Sequence, residues 1–202
     1  MAIKFHYNKT SLQNLNKQLK IRQNALPTLK NKESALRVEV KKAKNEADRL
    51  NEELEKQKAA SAELLRLWSE FDPNLIAVKD VSLSVKKIAG VKTPVLDKVE
   101  FEIKKFSIFS NPSWFLDGME LLKKLAQIGL ERDVFVRKME LLNFARKKTT
   151  QKVNLYEKVQ IPGYEEAIMK IKRFMEDEEN LSKAAQKIVK GRLEEKEAEA
   201  MA

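Results

Sequence analysis

The clearest pattern in the sequence is an apolar stripe that recurs at alternating steps of three and four residues. Only four of its positions, Arg22, Glu33, Gln57 and Ser61, are polar. The apolar or alanine positions are Leu12, Leu15, Leu19, Leu26, Leu29, Leu36, Val40, Ala43, Ala47, Leu50, Leu54, Leu64, Trp68 and Phe71. A stripe of period 3.5 kept over this length is typical of a coiled-coil seam. The pattern predicts one long helix in a first region, 1–72.

Two boundaries and one interruption of this helix can be predicted. Thr10 or Ser11 is a candidate N-cap, and Pro73 ends the helix because proline cannot donate to the helical ladder. Pro27 lies within the stripe, where a proline costs about 3 kcal/mol. Either the helix kinks at Pro27 or it begins after it. The unchanged phase on both sides favours a kink.

Residues 73–110 change to an alternating pattern. Val81, Leu83 and Val85 alternate with polar residues, and Val99, Phe101 and Ile103 do the same. Period two with β-branched residues predicts strands, and Ala89-Gly90 marks a turn between them. Pro94 restricts its strand to an edge or a bulge. We expect a small β-hairpin that needs support from the helices or from a partner.

The third region, 111–192, is predicted to be a second long helical segment, followed by a flexible tail at 193–202. Asn111-Pro112 is a start signal of the N-cap and N1 type. A second seam contains Tyr164, Ala167, Ile171, Phe174, Leu181, Ala185 and Ile188. Apolar residues upstream of Tyr164 do not share its phase, which predicts a stutter near Ile161-Pro162-Gly163.

Two seams in one chain favour pairing of the two helical segments within the same chain. A sharp apolar stripe needs a partner in water, and closing a loop of about 40 residues costs only a few kcal/mol. We therefore predict a mainly α fold, in which the N- and C-terminal segments form a long antiparallel two-helix coiled coil with the hairpin inserted between them. Residue numbers across the seam should add to about 200.

Composition supports long solvated helices and excludes several kinds of site. Charged residues make up 35% of the 202 residues, there are five glycines, and the formal net charge is +10. The chain has no Cys and no run of 18 apolar residues. Because residues 1–6 contain no apolar h-region, we expect no signal peptide. His6 is the only His, and no phosphate-binding loop or nucleophile–base pair is present. We predict no catalytic residue, no metal site and no cofactor.

Aromatic residues gather where the helices should meet the hairpin. Trp68, Phe71, Trp114 and Phe115 are predicted to pack at this base or to contact a partner.

One block of the sequence resembles the D subunit of the V/A-type ATPases. This block is Val153-Asn154-Leu155-Tyr156-Glu157 continuing to Ile161-Pro162, followed by an Ile at helical spacing and an acidic run. Leu29-Lys30-Asn31-Lys32 and the Val-Ser-Leu-Ser-Val of 81–85 are similar to two further family segments. Lys9, Lys152, Pro27 and Gly163 depart from the family pattern, which affects local helix geometry.

The resemblance implies a non-catalytic central rotor shaft, present in one copy per complex. It implies that the shaft transmits torque between two parts of the complex. One is a hexamer of A and B subunits, where ATP is hydrolysed or synthesised, and the other is a membrane ring that transports protons or sodium. The small F subunit and a ring adaptor, the C or d subunit, would be its other partners. The chain would be cytoplasmic and peripheral to the membrane through the complex. Possible contacts with the collar of the hexamer are Lys17, Lys20, Arg22, Lys30, Lys32 and Arg37.

Two other functions fit parts of the pattern. A generic coiled-coil scaffold would usually form a parallel homodimer. A basic helical protein could bind nucleic acid, although the basic residues alternate with acids and carry no aromatic platform for bases. We expect no direct nucleic-acid binding and no membrane insertion.

Overall fold

A computed structural model describes residues 3–62, 67, 70–72, 75–105 and 112–200. Its elements are helix α1 (Lys9–Ala60), strands β1 (Ile76–Ile88) and β2 (Val91–Ile103), helix α2 (Trp114–Leu155), a π-helical turn (Tyr156–Gln160) and helix α3 (Ile161–Ala200). This order confirms the predicted fold class, with two long helical segments and a small antiparallel hairpin between them. The chain divides into two compact units, residues 1–30 with 150–202, and residues 31–149.

Helix α1 differs from the prediction at both ends. Asn8 is its N-cap, in place of Thr10 or Ser11, because the Ser11 N–H donates to Asn8 Oδ1 at 2.7 Å. Pro27 lies inside the helix, so the alternative that the helix begins after Pro27 is wrong. The helix ends at Ala60, earlier than predicted. Gln57 and Ser61 occupy successive seam positions there, and polar residues give the last turns little apolar support.

In the first unit, the start of α1 runs antiparallel to the π turn and α3. Lys30 meets Glu157, Arg22 meets Gln160, and Tyr7 meets Phe174. The partner number falls as the α1 number rises, which defines the antiparallel direction. Paired numbers add to about 185, so the expected register of about 200 is wrong. The end of α3 therefore extends past the residues that pair with α1.

In the second unit, α1 buries one stripe, whereas most positions of α2 between 121 and 146 are at least half-buried. Leu36 on α1 and Leu142 on α2 are completely covered. The buried α1 residues Ala43, Ala47, Leu50 and Leu54 continue the heptad spacing from Leu36. The outer surface carries exposed ion pairs such as Arg49 with Glu46 at 3.0 Å.

The hairpin of the second unit closes through a tight turn at Ala89 and Gly90. Both residues have positive φ, 48° and 81°, as the central residues of a type I′ turn require. Register shifts between Val78 and Asp80 and between Ser82 and Leu83 mark two β-bulges. One extra residue, Lys79, lies on β1 and the other, Asp97, lies on β2, so the alternation of faces shifts at these two positions. Of the predicted β1 positions, Val81 is half-buried, whereas Leu83 and Val85 are exposed.

The hairpin lies against α2, which supplies the support that an isolated hairpin lacks. Pro94, Val95 and Leu96 of β2 line one cleft together with Val134 and Phe135 of α2. At the turn, the position of a Cβ on Gly90 would be 3.6 Å from Lys32 Nζ. Thr93 is fully buried and donates from Oγ1 to the Lys86 carbonyl at 2.9 Å.

The predicted stutter coincides with an irregularity in the second helical segment. The π turn occupies Tyr156–Gln160, immediately before Ile161-Pro162-Gly163. Helix α3 continues to Ala200, through the segment for which the sequence predicts a flexible tail. Asn111 and Pro73, predicted boundary residues, lie outside the described residues.

Candidate functional site

The seam of the first unit is a small apolar core between α1 and α3. Leu15 packs with Ala167, Ile168 and Ile171, and Ile171 is completely covered. The half-buried seam residues Leu12, Leu19 and Tyr164 pack around this cluster. Leu26 and Leu29 are half-buried further along α1. Burying each large aliphatic side chain stabilises the pairing by about 1.5–3 kcal/mol.

The seam positions predicted on α1 in the second unit are covered to different extents. Leu36, Leu50 and Leu54 are buried, and Val40 is half-buried. The small residues Ala43 and Ala47 are buried between them. This half of α1 thus shows one apolar face and one solvated charged face.

The last predicted seam positions lie in solvent. Phe174 is 45% exposed, Leu181 is 72% exposed and Ile188 is 57% exposed. Phe174 still contacts Tyr7, with ring centroids 4.8 Å apart and the ring planes tilted by 44°. Beyond it α1 provides no cover, contrary to the expectation of a seam closed within the chain as far as Ile188. The register of about 185 explains this difference.

Arg22 has an internal role that its basic character did not indicate. Its Nε donates to Gln160 Oε1 at 2.6 Å, and its Nη1 donates to Gln18 Oε1 at 2.6 Å. The guanidinium carbon is 4.6 Å from the centroid of the Tyr164 ring and 5.8 Å from that of Tyr156. Arg22 therefore joins α1 to the π turn and to α3 through hydrogen bonds and cation–π contacts.

The other predicted collar residues divide into paired and solvent-facing groups. Lys30 forms an ion pair with Glu157 at 2.6 Å, and Arg37 forms one with Glu33 at 3.0 Å. Lys17, Lys20 and Lys32 are exposed. The structure thus brings Arg22 and Lys30 together on the π turn and leaves these three lysines on the surface.

The predicted aromatic base is a packed cluster. Phe71 lies 5.1 Å from Phe115 and 5.9 Å from Trp114, measured between ring centroids. Leu75 and Met119 complete the buried part. Trp68 lies outside the described residues. Three of the four aromatic residues predicted at the base therefore pack against one another.

An apolar groove opens next to this cluster. Its volume is about 390 Å³, and its walls come from both strands of the hairpin and from α2. The lining residues are Phe71, Ile76, Ala77, Val78, Phe101, Leu122 and Ala126. Sequence reasoning missed this groove, because the β-bulges decide which hairpin residues face α2.

Electrostatic shifts are confined to surface pairs. A hydrogen bond from Lys170, at 2.7 Å, lowers the pKa of Glu166, and Lys183 lowers the pKa of Glu179 in the same way. Among the described residues, no three His, Asp or Glu side chains form a group that could hold a metal ion. No helix in the described part of the chain is apolar and long enough to cross a membrane. The Glu166–Lys170 and Glu179–Lys183 pairs are each one helical turn apart and stabilise α3 locally.

Comparison with known proteins identifies a family for this chain. The family model described as the ATP synthase D subunit matches residues 11–191. A protein of Borreliella burgdorferi strain B31, named as a V-type ATP synthase D subunit, is 33% identical over 94% of this chain and 95% of its own length. Proteins of the same name from Chlamydia trachomatis and Chlamydia abortus are 26% identical over 84% and 86% of this chain, and each is covered over 86% of its length.

The matches span both long helical segments and the hairpin between them, so they concern the whole arrangement and not the heptads alone. The chain belongs to the family of V-type ATP synthase D subunits.

Proposed function

We propose that this chain is the non-catalytic central shaft of a V-type ATP synthase and transmits torque between the catalytic hexamer and ion transport through the membrane ring. The observation that carries the proposal is the antiparallel pairing of α1 with α3 around Leu15 and Ile171. A part that transmits rotation must resist twisting, and this pairing combines an apolar core with cross-helix polar contacts at Arg22 and Lys30.

Two surfaces fit contacts with the hexamer of A and B subunits. The exposed apolar residues of α3, from Phe174 through Leu181 to Ile188, would be covered inside such a bore. Lys17 and Lys20, exposed on α1, would meet acidic groups of the collar. Arg22, Lys30 and Arg37 would contribute less, since their side chains already have partners within the chain.

The base and the hairpin would serve the other partners, the small F subunit and the C or d subunit that adapts the shaft to the ring. The apolar groove beside Phe71 and the exposed strand residues Val78 and Ile103 offer a surface for them. The chain would be cytoplasmic and attached to the membrane through the complex, with one copy in each.

A cross-linking experiment separates a rotating shaft from a static stalk. The chain has no Cys, so Lys20→Cys provides a single attachment point for a photoreactive label with a cleavable disulfide arm. Irradiation of the assembled complex should join residue 20 to the hexamer and stop both ATP hydrolysis and ion pumping. A reductant should then restore both activities.

The matched control carries the same label and is kept in the dark, where activity should be unchanged. Cross-linked complexes that continue to hydrolyse ATP and pump ions at the control rate would contradict a rotating role.

A further inference from the structure

The π turn lies where the second seam has one residue too many. On one side, Thr149, Val153 and Tyr156 follow steps of four and three, and on the other, Tyr164, Ala167 and Ile171 follow steps of three and four. All six residues are buried or half-buried. Tyr164 lies eight positions after Tyr156, whereas equivalent positions of a strict heptad repeat lie seven apart. The seam therefore contains an insertion of one residue.

A π turn can absorb such an insertion. The Ile161 N–H donates to the Tyr156 carbonyl, five residues back and not four, so the turn holds one extra residue. An ordinary α-helix rotates about 100° per residue. If this turn were α-helical, Ala167, Ile168 and Ile171 would rotate by about that angle away from Leu15. The apolar packing of α3 on α1 thus requires the wider turn.

Pro162 adds a second, local reason for the wider turn. Proline has no N–H, and in an α-helix its ring clashes with the carbonyl four residues back, here that of Lys158. A π turn ending at Gln160 moves that carbonyl aside. Two causes, the extra residue and the proline, therefore coincide and must be separated by experiment.

Arg22 contacts both ends of the π turn and the first part of α3. It hydrogen-bonds Gln160, the last residue of the π turn, and stacks on Tyr156, the first residue, and on Tyr164, one turn later. In a regular α-helix, two residues eight apart point about 80° away from each other. Here both rings reach the same guanidinium group, because the π turn removes most of that rotation.

We propose that Arg22 is a latch that holds the π turn and thereby fixes the rotational phase of α3 against α1. With the latch removed, the turn exchanges between π and α hydrogen bonding, and α3 loses its fixed phase. In the shaft proposed above, on which this last step rests, the π turn is the point at which α3 can rotate about its axis relative to α1. The inference about the latch itself concerns the isolated chain.

Amide hydrogen exchange of the full-length chain tests the latch without any ATPase partner. Arg22→Gln should speed the exchange of amides 157–161 and 163–166 by about tenfold or more, since hydrogen bonds from a charged group are lost. Arg22→Lys should behave similarly, because lysine lacks the planar fork. The matched control is Arg49→Gln, on the same helix, whose side-chain contacts with Glu46 and Glu53 lie at the exposed surface. Equal exchange of these amides in the Arg22 and Arg49 variants would overturn the proposal.

Two further variants separate the extra residue from the proline. Deletion of Pro162 removes both the proline and the extra residue, so that Tyr156 and Tyr164 become seven positions apart. Amide exchange in the turn should then slow, and Arg22→Gln should change its rate by less than about twofold. Pro162→Ala removes only the proline, and the roughly tenfold effect of Arg22→Gln should persist. If Pro162→Ala alone abolishes the effect of Arg22→Gln, the proline sets the turn and the seam does not, and the proposal fails. These exchange measurements do not depend on rotation of the complex, so they can contradict the proposed role of Arg22 without contradicting the proposed shaft function.

Discussion

Residues with the same heptad assignment have very different surroundings in this chain. Leu36 is completely covered, whereas Leu181 is 72% exposed, although both occupy seam positions in their helices. Sequence spacing decides which face of a helix a residue occupies, and tertiary pairing decides whether that face is covered. The energetic importance of a seam leucine therefore depends on whether another helix lies opposite it.

This contrast predicts different costs for one substitution. Leu36→Ala should lower the free energy of unfolding by about 2–5 kcal/mol, because it leaves a cavity in a fully covered site. Leu181→Ala should change it by less than about 0.5 kcal/mol in the isolated chain. Urea unfolding followed by circular dichroism measures both. Similar losses in the two variants would show that Leu181 is covered in solution.

The Glu166–Lys170 pair predicts a pH dependence of α3. The pKa of Glu166 is lowered in the folded chain, so its stabilising effect is fully present above the unfolded pKa of about 4.3 and is lost as pH falls through the folded value. Glu166→Gln should remove that contribution and make the loss of helicity on acidification smaller. Its control is Glu165→Gln, at the adjacent exposed position, which in the described structure makes no ion pair. A pH titration by circular dichroism in which the two variants behave alike would contradict the role of this pair.

At the scale of elements, the sequence predicts what local periodicity encodes. The strict heptads of α1, the alternation in the two strands and the Ala89-Gly90 turn all have signals within a few residues. The two β-bulges have no such signal, because an extra residue in one strand is defined only by its pairing with the other. Faces of the hairpin, and hence the apolar groove, could not be assigned from alternation.

The contacts of the candidate site follow the same division. The aromatic base was predictable because large apolar rings flank the helix ends. The partnership of Arg22 with Gln160 was not, since these residues lie 138 positions apart and their meeting depends on the register of two helices. The stutter was visible as a change of phase, but whether a chain absorbs it by unwinding or by a π turn is decided by packing and by Pro162.

The hairpin turn predicts two opposite effects of substitution. Ala89 has a φ of 48° without being a glycine, so Ala89→Asn, which creates the preferred Asn-Gly pair, should stabilise the hairpin by roughly 1 kcal/mol. Gly90→Ala should destabilise the hairpin by about 1–2 kcal/mol, because an alanine is strained at a φ of 81°. The added methyl group itself fits, since its carbon would lie 3.6 Å from Lys32 Nζ. Amide exchange of the strands measures both changes. Equal exchange in both variants would argue against a type I′ turn.

At the scale of the whole molecule, the decisive question is where each apolar stripe finds its partner. The start of α1 finds it within the chain, through Leu15 against Ile168 and Ile171 and through Lys30 against Glu157. A parallel homodimer, the usual form of a coiled-coil scaffold, would instead place each α1 beside its own copy. Shaft and scaffold therefore differ in one measurable property, the identity of the chain that supplies the partner.

Zero-length cross-linking with isotope mixing measures that property. A carbodiimide should join Lys30 to Glu157 as an amide, because their side chains form an ion pair at 2.6 Å. If ¹⁴N- and ¹⁵N-labelled chains are unfolded together and refolded, every cross-linked peptide pair should be entirely light or entirely heavy. Glu157→Gln is the control and should lose this product, since it lacks the carboxylate. Peptide pairs of mixed mass would mean that two chains exchange their helices, which a single-copy antiparallel shaft does not permit.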